Sequence, residues 1–325
     1  MGTLADRIGT PDGSVPDLGA FGPSVPPSFV SLVSGHEPEG GVEGSDWLRT
    51  LPRLVRECAE RWQLRATGPV RHGMAAVVVP CTSAEHGPAM LKVTWPHPEA
   101  EHEHLALRAW AGEGAVRLLA ADPSRWAMLL DPAHDDRPLT TVDVDTSCEV
   151  VGGLLRRLDR PALPGTTPLS QECERWAERI RREGPAVLPR RLVDRAAAIF
   201  TELGGEAGVD DRLVHTDLHD GNVLAADREP WLAIDPKPMA AVPEFAVACL
   251  VWNREEEATS APSLREHVRR KVEITCAAGD LDVDQAMMWT LARCALNAVW
   301  EAERPDAADA DFVTWQVSVA KAMDG

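Results

Sequence analysis

The residues around position 220 are the ones in this sequence best suited to bind a metal ion and move a proton. Two apolar runs, Val223–Ala226 and Trp231–Ile234, flank a polar turn and predict an antiparallel hairpin with Val223 opposite Ile234. Asn222 precedes the first run and Asp235 follows the second, so the same pairing places these two side chains opposite each other. Cross-strand Cβ atoms lie roughly 4.5–5.5 Å apart, close enough for an amide oxygen and a carboxylate to share an ion. Such oxygen ligands suit Mg²⁺.

Asp217, five residues before Asn222, is the candidate proton acceptor. A carboxylate here can accept the proton of a substrate hydroxyl while the hydroxyl oxygen attacks a phosphorus. The spacing His-x-Asp-x-x-x-x-Asn is that of kinase catalytic loops, in which the Asp is the base and the Asn binds metal. Gly221 allows the backbone to turn between the two, and His215 and His219 are expected to support the loop.

Two alternatives exist for this stretch. His215, Asp217, His219 and Asp220 are residue types that ligate Zn²⁺. A zinc site would leave the amide and acid of the hairpin without a role, and the rest of the sequence supplies no clear further ligand. A polar surface hairpin without chemistry does not account for the combination of residues.

A phosphate-binding lysine is expected on a strand that precedes a helix carrying a glutamate. Lys92 lies on such a strand and is the only lysine in the first 130 residues. In the following helix, Glu103 shares a face with Leu107 and Trp110, so it points toward the buried side and requires a cation. The sequence therefore predicts a Lys92–Glu103 ion pair. Gly73 is the candidate glycine for nucleotide contact, although neither GxGxxG nor GxxxxGK[ST] occurs.

The elements that must position these residues fall into two lobes. Residues 28–130 combine a helix, short β-rich runs and a second helix, which predicts an N-lobe with an antiparallel sheet that binds nucleotide. Residues 131–138 contain two prolines and are expected to form a hinge, and residues 139–325 predict a mainly helical C-lobe with the catalytic loop and the substrate site. Residues 1–27, rich in Pro, Gly, Ser and Asp, predict a mobile tail. The predicted class is α+β with the two-lobed, protein-kinase-like division.

Composition and charge narrow the possible partners and location. No stretch approaches eighteen consecutive apolar residues, there is no export signal, and the seven cysteines are scattered without a CxxC pair. These features predict a reduced, cytoplasmic protein. The net charge is −18, and residues 131–325 contribute −14 of it, from 22 basic and 36 acidic residues. This charge disfavours nucleic acid and anionic membranes and favours a small cationic substrate.

The sequence over about residues 28–323 resembles the aminoglycoside/hydroxyurea phosphotransferase family, of the streptomycin 6-phosphotransferase type. The motifs that carry the resemblance are His215-Thr-Asp-Leu-His-Asp-Gly-Asn222, Trp231-Leu-Ala-Ile-Asp-Pro-Lys237, Leu250-Val-Trp-Asn-Arg254, Pro98-Glu with Leu107-Arg-Ala-Trp110, and Val151-Gly-Gly-Leu-Leu155.

The resemblance implies a kinase-like fold, an ATP site between lobes, and Mg²⁺-dependent transfer of the γ-phosphoryl group to a hydroxyl of an aminoglycoside or hydroxyurea, giving antibiotic resistance. Matching positions imply Asp217 as catalytic base, Asn222 and Asp235 as metal ligands, and Lys92 as phosphate anchor.

The sequence departs from the family pattern at two places. His72-Gly-Met-Ala-Ala76 replaces a richer glycine loop, and Ala246 replaces the usual acidic residue after Pro243. A nucleotide-binding pseudoenzyme therefore remains an alternative, as does a kinase for an endogenous amino alcohol or sugar. The consecutive acids Glu255, Glu256 and Glu257 are candidate contacts of a cationic substrate, although such runs also occur on solvated helix faces.

Overall fold

The computed structural model describes residue 18 and residues 24–36, 40–304 and 308–325. The chain divides into two units, one comprising the residues up to Gly112 with Val116–Ala133, the other Glu113–Ala115 with His134–Gly325. Of the segment predicted as a tail, residues 1–17 and 19–23 lie outside the described residues. Leu18 and Val25 in the same segment are buried in the core of the first unit.

In its described residues, the first unit contains one antiparallel sheet and three α-helices. Its strands pair in the order β1–β3–β4–β6–β5, and β2 also pairs with β3. In chain order the elements are α1 (Pro27–Ser34), α2 (Gly44–Arg61), β1 (Leu64–Ala66), β2 (Arg71–His72), β3 (Ala76–Ser83), β4 (Gly87–Thr94), α3 (Glu103–Trp110), β5 (Leu118–Asp122) and β6 (Ala127–Leu130).

The apolar pattern of the sequence explains how the first unit packs. Leu48, Leu51 and Val55 recur at helical spacing in α2, and all three are buried in the same core as Leu91 of β4. Burying each such side chain contributes about 1.5–3 kcal/mol. Between β4 and α3, residues 98–100 form a 3-10 turn, and the α-helix that carries the predicted glutamate begins at Glu103 itself.

The second unit is mainly helical, with two small sheets ordered β8–β10–β13–β9 and β12–β11–β7. The chain order of its elements is β7 (His134–Pro138), α4 (Val144–Arg157), β8 (Arg160–Pro161), β9 (Thr167–Pro168), α5 (Leu169–Glu183), α6 (Arg190–Gly204), β10 (Arg212–His215), β11 (Val223–Ala225), β12 (Leu232–Ala233), β13 (Pro238–Ala241), α7 (Pro243–Trp252), α8 (Glu255–Ser260), α9 (Leu264–Gly279), α10 (Val283–Ala302) and α11 (Ala310–Met323).

The architecture confirms the α+β class, with a β-rich first part and a larger helical second part. In the described ranges, none of the helices has both the length and the apolar character needed to cross a bilayer.

Candidate active site

One buried histidine holds the start of the loop that follows β10. His215 is 1% exposed, its Nδ1 accepts the backbone N–H of Asp217 at 3.2 Å, and its Nε2 donates to the carbonyl of Ile234 at 3.0 Å. Because Nδ1 accepts and Nε2 donates, the imidazole is the neutral Nε2–H tautomer. Burial lowers its pKa to about 4. A neutral His215 therefore joins the Asp217 loop to the residue before Asp235.

Asp217 and Asn222 contact each other directly. Nδ2 of Asn222 donates to the backbone carbonyl of Asp217 at 2.9 Å and to its Oδ2 at 3.3 Å. The nitrogen and oxygen of an amide diverge, so Oδ1 of Asn222 points away from the Asp217 carboxylate. Since a quarter of the Asp217 side chain is exposed, it is reachable by a substrate.

The hairpin after Asn222 forms, but its predicted register was wrong by one residue. Val223 pairs with Ala233, and the N–H of Ile234 donates to the carbonyl of Asn222 at 2.9 Å, so Asn222 faces Ile234. Asp235 lies one residue further along in left-handed backbone, with φ 54°. Asp tolerates this conformation better than most residues.

Contacts from other segments accompany the observed register. The connecting loop is held from outside the hairpin: Nη2 of Arg228 donates to the carbonyl of Ala115 at 3.0 Å, and Asp227 pairs with His134 of β7 at 2.8 Å. The turn residues between the two apolar runs therefore do not set the pairing by themselves.

His219 and Gly221 shape the short 3-10 turn over Asp220–Asn222. Nδ1 of His219 accepts the backbone N–H of Gly221 at 3.1 Å and caps the turn. A Cβ at residue 221 would lie 2.8 Å from Cε1 of His219, closer than real Cβ contacts. A larger residue here would have to displace the imidazole, so glycine is favoured by the approach of that ring and not by a positive φ, which Gly221 does not have.

Asp220 and Arg254 form an ion pair that the sequence analysis did not predict. Nε of Arg254 donates to Oδ2 of Asp220, and its two Nη groups donate to the carbonyls of Val142 at 2.8 Å and Leu139 at 3.0 Å. Burial alone would raise the pKa of Asp220, but hydrogen bonds with His219 and Arg254 outweigh it and hold the pKa at about 2. Arg254 belongs to a motif that carries the family resemblance, which was the available signal.

Arg293 of α10 supports the residue immediately before Asp217. Its guanidinium donates to the carbonyls of Thr216 and Phe245, each at 3.1 Å, and lies over the Phe245 ring at 4.5 Å. Ala246, where the family usually has an acid, is fully buried in α7. Arg293 thus connects α7 to the loop by contacts to backbone oxygens that need no acid at position 246.

Lys237 is a further residue that the sequence argument did not assign to the site. Its Nζ lies 3.3 Å from Oδ2 of Asp217. Strands β10 and β13 pair antiparallel, so the end of β10 lies beside the start of β13. Asp217 follows the end of β10 by two residues and Lys237 immediately precedes β13, which brings the two side chains together.

In the first unit, the structure brings Lys92 and Glu103 together. Nζ of Lys92 lies 2.6 Å from Oε1 of Glu103, and both side chains are almost fully buried, at 6% and 2% exposure. Lys92 occupies central strand β4, between Val78 of β3 and Met128 of β6. This is the strand-and-helix arrangement expected for a phosphate-binding lysine.

Gly73 lies in the turn between β2 and β3, where its N–H donates to the carbonyl of Ala76 at 3.0 Å. No atom lies within 4 Å of the position a Cβ would occupy, so this turn has open space beside it.

The acidic run Glu255–Glu257 forms the exposed first turn of α8. Glu257 pairs with Arg254 at 3.3 Å, which connects this turn to the residue that holds Asp220. Acids at a helix N-terminus are also favoured by the helix dipole, so their placement alone does not define a substrate contact.

The donor set around Asp217 fits Mg²⁺ better than Zn²⁺. The zinc alternative fails because both ring nitrogens of His215 are already bonded to backbone groups. In the part of the chain that the structure describes, no group of three or more His, Cys, Asp or Glu side chains is arranged to hold a metal. Oδ1 of Asn222 and the carboxylate of Asp235 are hard oxygen donors, and two protein ligands with substrate phosphates suffice for Mg²⁺.

Solved structures share this fold. A choline/ethanolamine kinase family protein from Mesorhizobium loti matches with a TM-score of 0.58 at 15% identity, over 83% of this chain and 94% of that one. A macrolide 2'-phosphotransferase from Brachybacterium faecium matches with a TM-score of 0.51 at 16% identity, over 85% and 98%. These likenesses place the chain in the kinase-like fold class.

Sequence similarity identifies the family within this class. The family described as aminoglycoside/hydroxyurea antibiotic resistance kinase matches residues 61–304. Streptomycin 6-kinase of Streptomyces griseus is 38% identical over 298 residues, 90% of this chain and 95% of that protein. Hydroxyurea phosphotransferase of Kitasatospora aureofaciens is 37% identical over 297 residues, 88% and 82% respectively. The chain belongs to this antibiotic resistance kinase family, which confirms the predicted family and enzyme class and favours them over the pseudoenzyme and endogenous-substrate alternatives.

Proposed function

We propose that this protein transfers the γ-phosphoryl group of ATP to a hydroxyl of a streptomycin-like aminoglycoside and thereby inactivates the antibiotic. The observation that carries the proposal is the Asp217–Asn222 contact, in which the amide nitrogen of Asn222 holds a partly exposed carboxylate in a loop with kinase spacing. Hydroxyurea is the second candidate substrate, because a relative of that specificity is 37% identical over most of both chains.

In the proposed reaction, Asp217 accepts the proton of the substrate hydroxyl. The hydroxyl oxygen forms a bond to the γ-phosphorus, the bond from that phosphorus to the β–γ bridging oxygen breaks, and its electron pair leaves with ADP. His215 is neutral and bonded through Nδ1 to the Asp217 N–H, so it orients the base without supplying a competing positive charge.

Asn222 and Asp235 are the residues that would hold Mg²⁺, and Lys92, oriented by Glu103, would bind the phosphates of ATP. The metal ion, when bound, supplies positive charge that neutralises the phosphate oxygens. His219 and Gly221 keep Asn222 in the turn, and Arg254 fixes the turn through Asp220. Gly73 is proposed to lie close to the nucleotide, because the space beside it is open.

The charge distribution supports a cationic substrate. Residues 131–325 have a net charge of −14, from 22 basic and 36 acidic residues. Each close charge pair contributes about 1 kcal/mol in water and up to about 4 kcal/mol near a protein surface. We assign Glu255 and Glu256 to this attraction, because they adjoin the residue that holds the catalytic turn. The same net charge disfavours nucleic acid and anionic membranes as partners. The free cysteines are buried, which suits an enzyme of the reducing cytoplasm.

A substrate screen tests the proposal. ADP release by the purified protein is measured with streptomycin, other aminoglycosides, hydroxyurea and choline, with Mg²⁺ or with excess EDTA, and the product is identified by ³¹P NMR. We expect a phosphorylated aminoglycoside that requires Mg²⁺, and a loss of at least about a thousandfold in Asp217→Asn with nucleotide binding retained. Phosphorylation of choline or sugars alone would refute the antibiotic assignment.

A further inference from the structure

Lys237 is a cation placed against the proposed catalytic base. Its Nζ lies 3.3 Å from Oδ2 of Asp217, and 37% of its side chain is exposed. It is therefore neither a buried structural lysine like Lys271, which is 2% exposed, nor a freely solvated one.

The backbone holds Lys237 firmly at this position. The carbonyl of Lys237 accepts both the N–H of Thr216 at 3.1 Å and its hydroxyl at 2.8 Å. The next residue, Pro238, pairs with His215 in the β10–β13 ladder. The chain segments that carry the base and the ammonium are thus bonded to each other immediately beside both side chains.

The use of lysine here is unusual for this sequence. The chain contains 29 arginines and only four lysines, namely Lys92, Lys237, Lys271 and Lys321. An ammonium is a compact charge with three donors that can rotate, whereas a guanidinium is a planar fork that prefers bidentate geometry. A small charge at this position is suited to a group whose shape changes during a reaction.

We propose that Lys237 is a catalytic residue whose ammonium contacts an oxygen of the phosphoryl group during its transfer, while also orienting Asp217. This proposal rests on the proposed function. A catalytic base lies within roughly 2.6–3.2 Å of the hydroxyl it deprotonates, and the attacking oxygen lies about 3–3.5 Å from the phosphorus. An ammonium at 3.3 Å from the base is therefore beside the path of the phosphoryl group.

The charge balance of the step agrees with this role. The hydroxyl proton passes to Asp217, one oxygen–phosphorus bond forms, the bond to the bridging oxygen breaks, and the electron pair leaves with ADP. Lys237 keeps its proton throughout and acts only through its charge and its donor hydrogens. Its position next to Asp217 also offsets the repulsion between that carboxylate and the approaching phosphate oxygens.

The test compares Lys237→Met, which removes the charge, and Lys237→Arg, which keeps it, in the full-length protein. Lys321→Met, at an exposed position of α11, is the matched control.

Binding of AMP-PNP and of ADP, each with Mg²⁺, is measured by calorimetry, and kcat and Tm are measured for each variant. For Lys237→Met we expect about tenfold weaker AMP-PNP binding, ADP binding within about twofold, and kcat lower by about a hundredfold, as for the loss of one transition-state donor. Lys237→Arg should recover part of kcat.

Three results would overturn the proposal. The first is AMP-PNP affinity and kcat within about twofold of the wild type in Lys237→Met. The second is an equal change in AMP-PNP and ADP affinity, and the third is a loss of kcat that follows a fall in Tm; either of these would indicate a structural ion pair. If the wild-type protein phosphorylates no substrate, the proposed function fails, while the AMP-PNP and ADP comparison still reports on the phosphoryl contact.

Discussion

Nε2 of His215 donates to the carbonyl oxygen of Ile234 at 3.0 Å, and this bond connects the loop of the proposed base to the residue before the proposed metal ligand Asp235. The same ring accepts the N–H of Asp217 through Nδ1. The bond that Nδ1 accepts requires the neutral imidazole, because a protonated ring has a donor at both nitrogens, so the geometry of the loop depends on the protonation state of His215.

Stability should therefore fall on acidification. The pKa of His215 is about 4 in the folded protein, lowered by burial from an ordinary value of 6.5. Between these values the unfolded chain binds a proton that the folded chain excludes, so the contribution is complete above pH 6.5 and is lost as the pH falls toward 4. We expect His215 to contribute on the order of 3 kcal/mol to this dependence.

Urea unfolding at a series of pH values measures how the free energy of unfolding depends on pH. His215→Asn should reduce the slope, and exposed His86→Asn should retain it, while His104 and His267, whose pKa values burial also lowers, account for a remaining part. An unchanged slope in His215→Asn contradicts this account.

Gly221→Ala should reduce both kcat and stability, because the new methyl group would lie 2.8 Å from Cε1 of His219. We expect a stability loss of about 1–3 kcal/mol, as for other overpacked sites. Gly73→Ala is the matched control, since its methyl group would meet no atom within 4 Å, and its Tm should not change. In a His219→Ala background the effect of Gly221→Ala should largely disappear. Additive effects in this double-mutant cycle would show that the clash is not the cause.

The buried Asp220–Arg254 pair should matter far more than an exposed pair of the same types. The side chains of Asp220 and Arg254 are 3% and 9% exposed, whereas those of Asp145 and Arg270 are 46% and 62% exposed. Asp220→Asn should cost about 3–5 kcal/mol of unfolding free energy, because Arg254 loses its buried partner. Asp145→Asn should cost less than about 1 kcal/mol. Chemical denaturation of both variants makes the comparison, and equal losses would contradict the role assigned to burial.

Glu255→Gln and Glu256→Gln should weaken binding of a cationic substrate and leave a neutral one unaffected. Both side chains are exposed, so each charge contributes about 0.2–1 kcal/mol, which corresponds to KM changes for streptomycin of up to about fivefold. Hydroxyurea carries no charge, and its KM is the internal control. Steady-state kinetics at low and high salt measure both. A parallel change in the two KM values would instead indicate a distorted loop.

Local patterns in the sequence predicted the parts of the site that depend on neighbouring residues. The spacing of His215, Asp217 and Asn222 predicted the loop, because all three lie within eight consecutive residues, which keeps them close in any fold. The helical face shared by Glu103, Leu107 and Trp110 predicted a buried glutamate, and the structure places it 2.6 Å from Lys92. The second inference uses the helical repeat that the backbone imposes, whereas the first uses only the closeness of residues along a short loop.

Tertiary structure decided what depends on residues far apart in the chain. The hairpin register differs by one residue from the predicted one, and its loop contacts Ala115 and His134, which no pattern within the hairpin reports. Arg254 reaches Asp220 across 34 residues, and Lys237 reaches Asp217 only because β10 and β13 pair.

The residue types and their spacing determined the chemistry available to this protein, because proton transfer and oxygen ligation are properties of individual side chains. Which cation lies beside the proposed base, and which residue faces Asn222, followed only from the packing of separate segments. Periodicity describes neighbours along one element, whereas these contacts join elements whose relative position depends on the whole second unit.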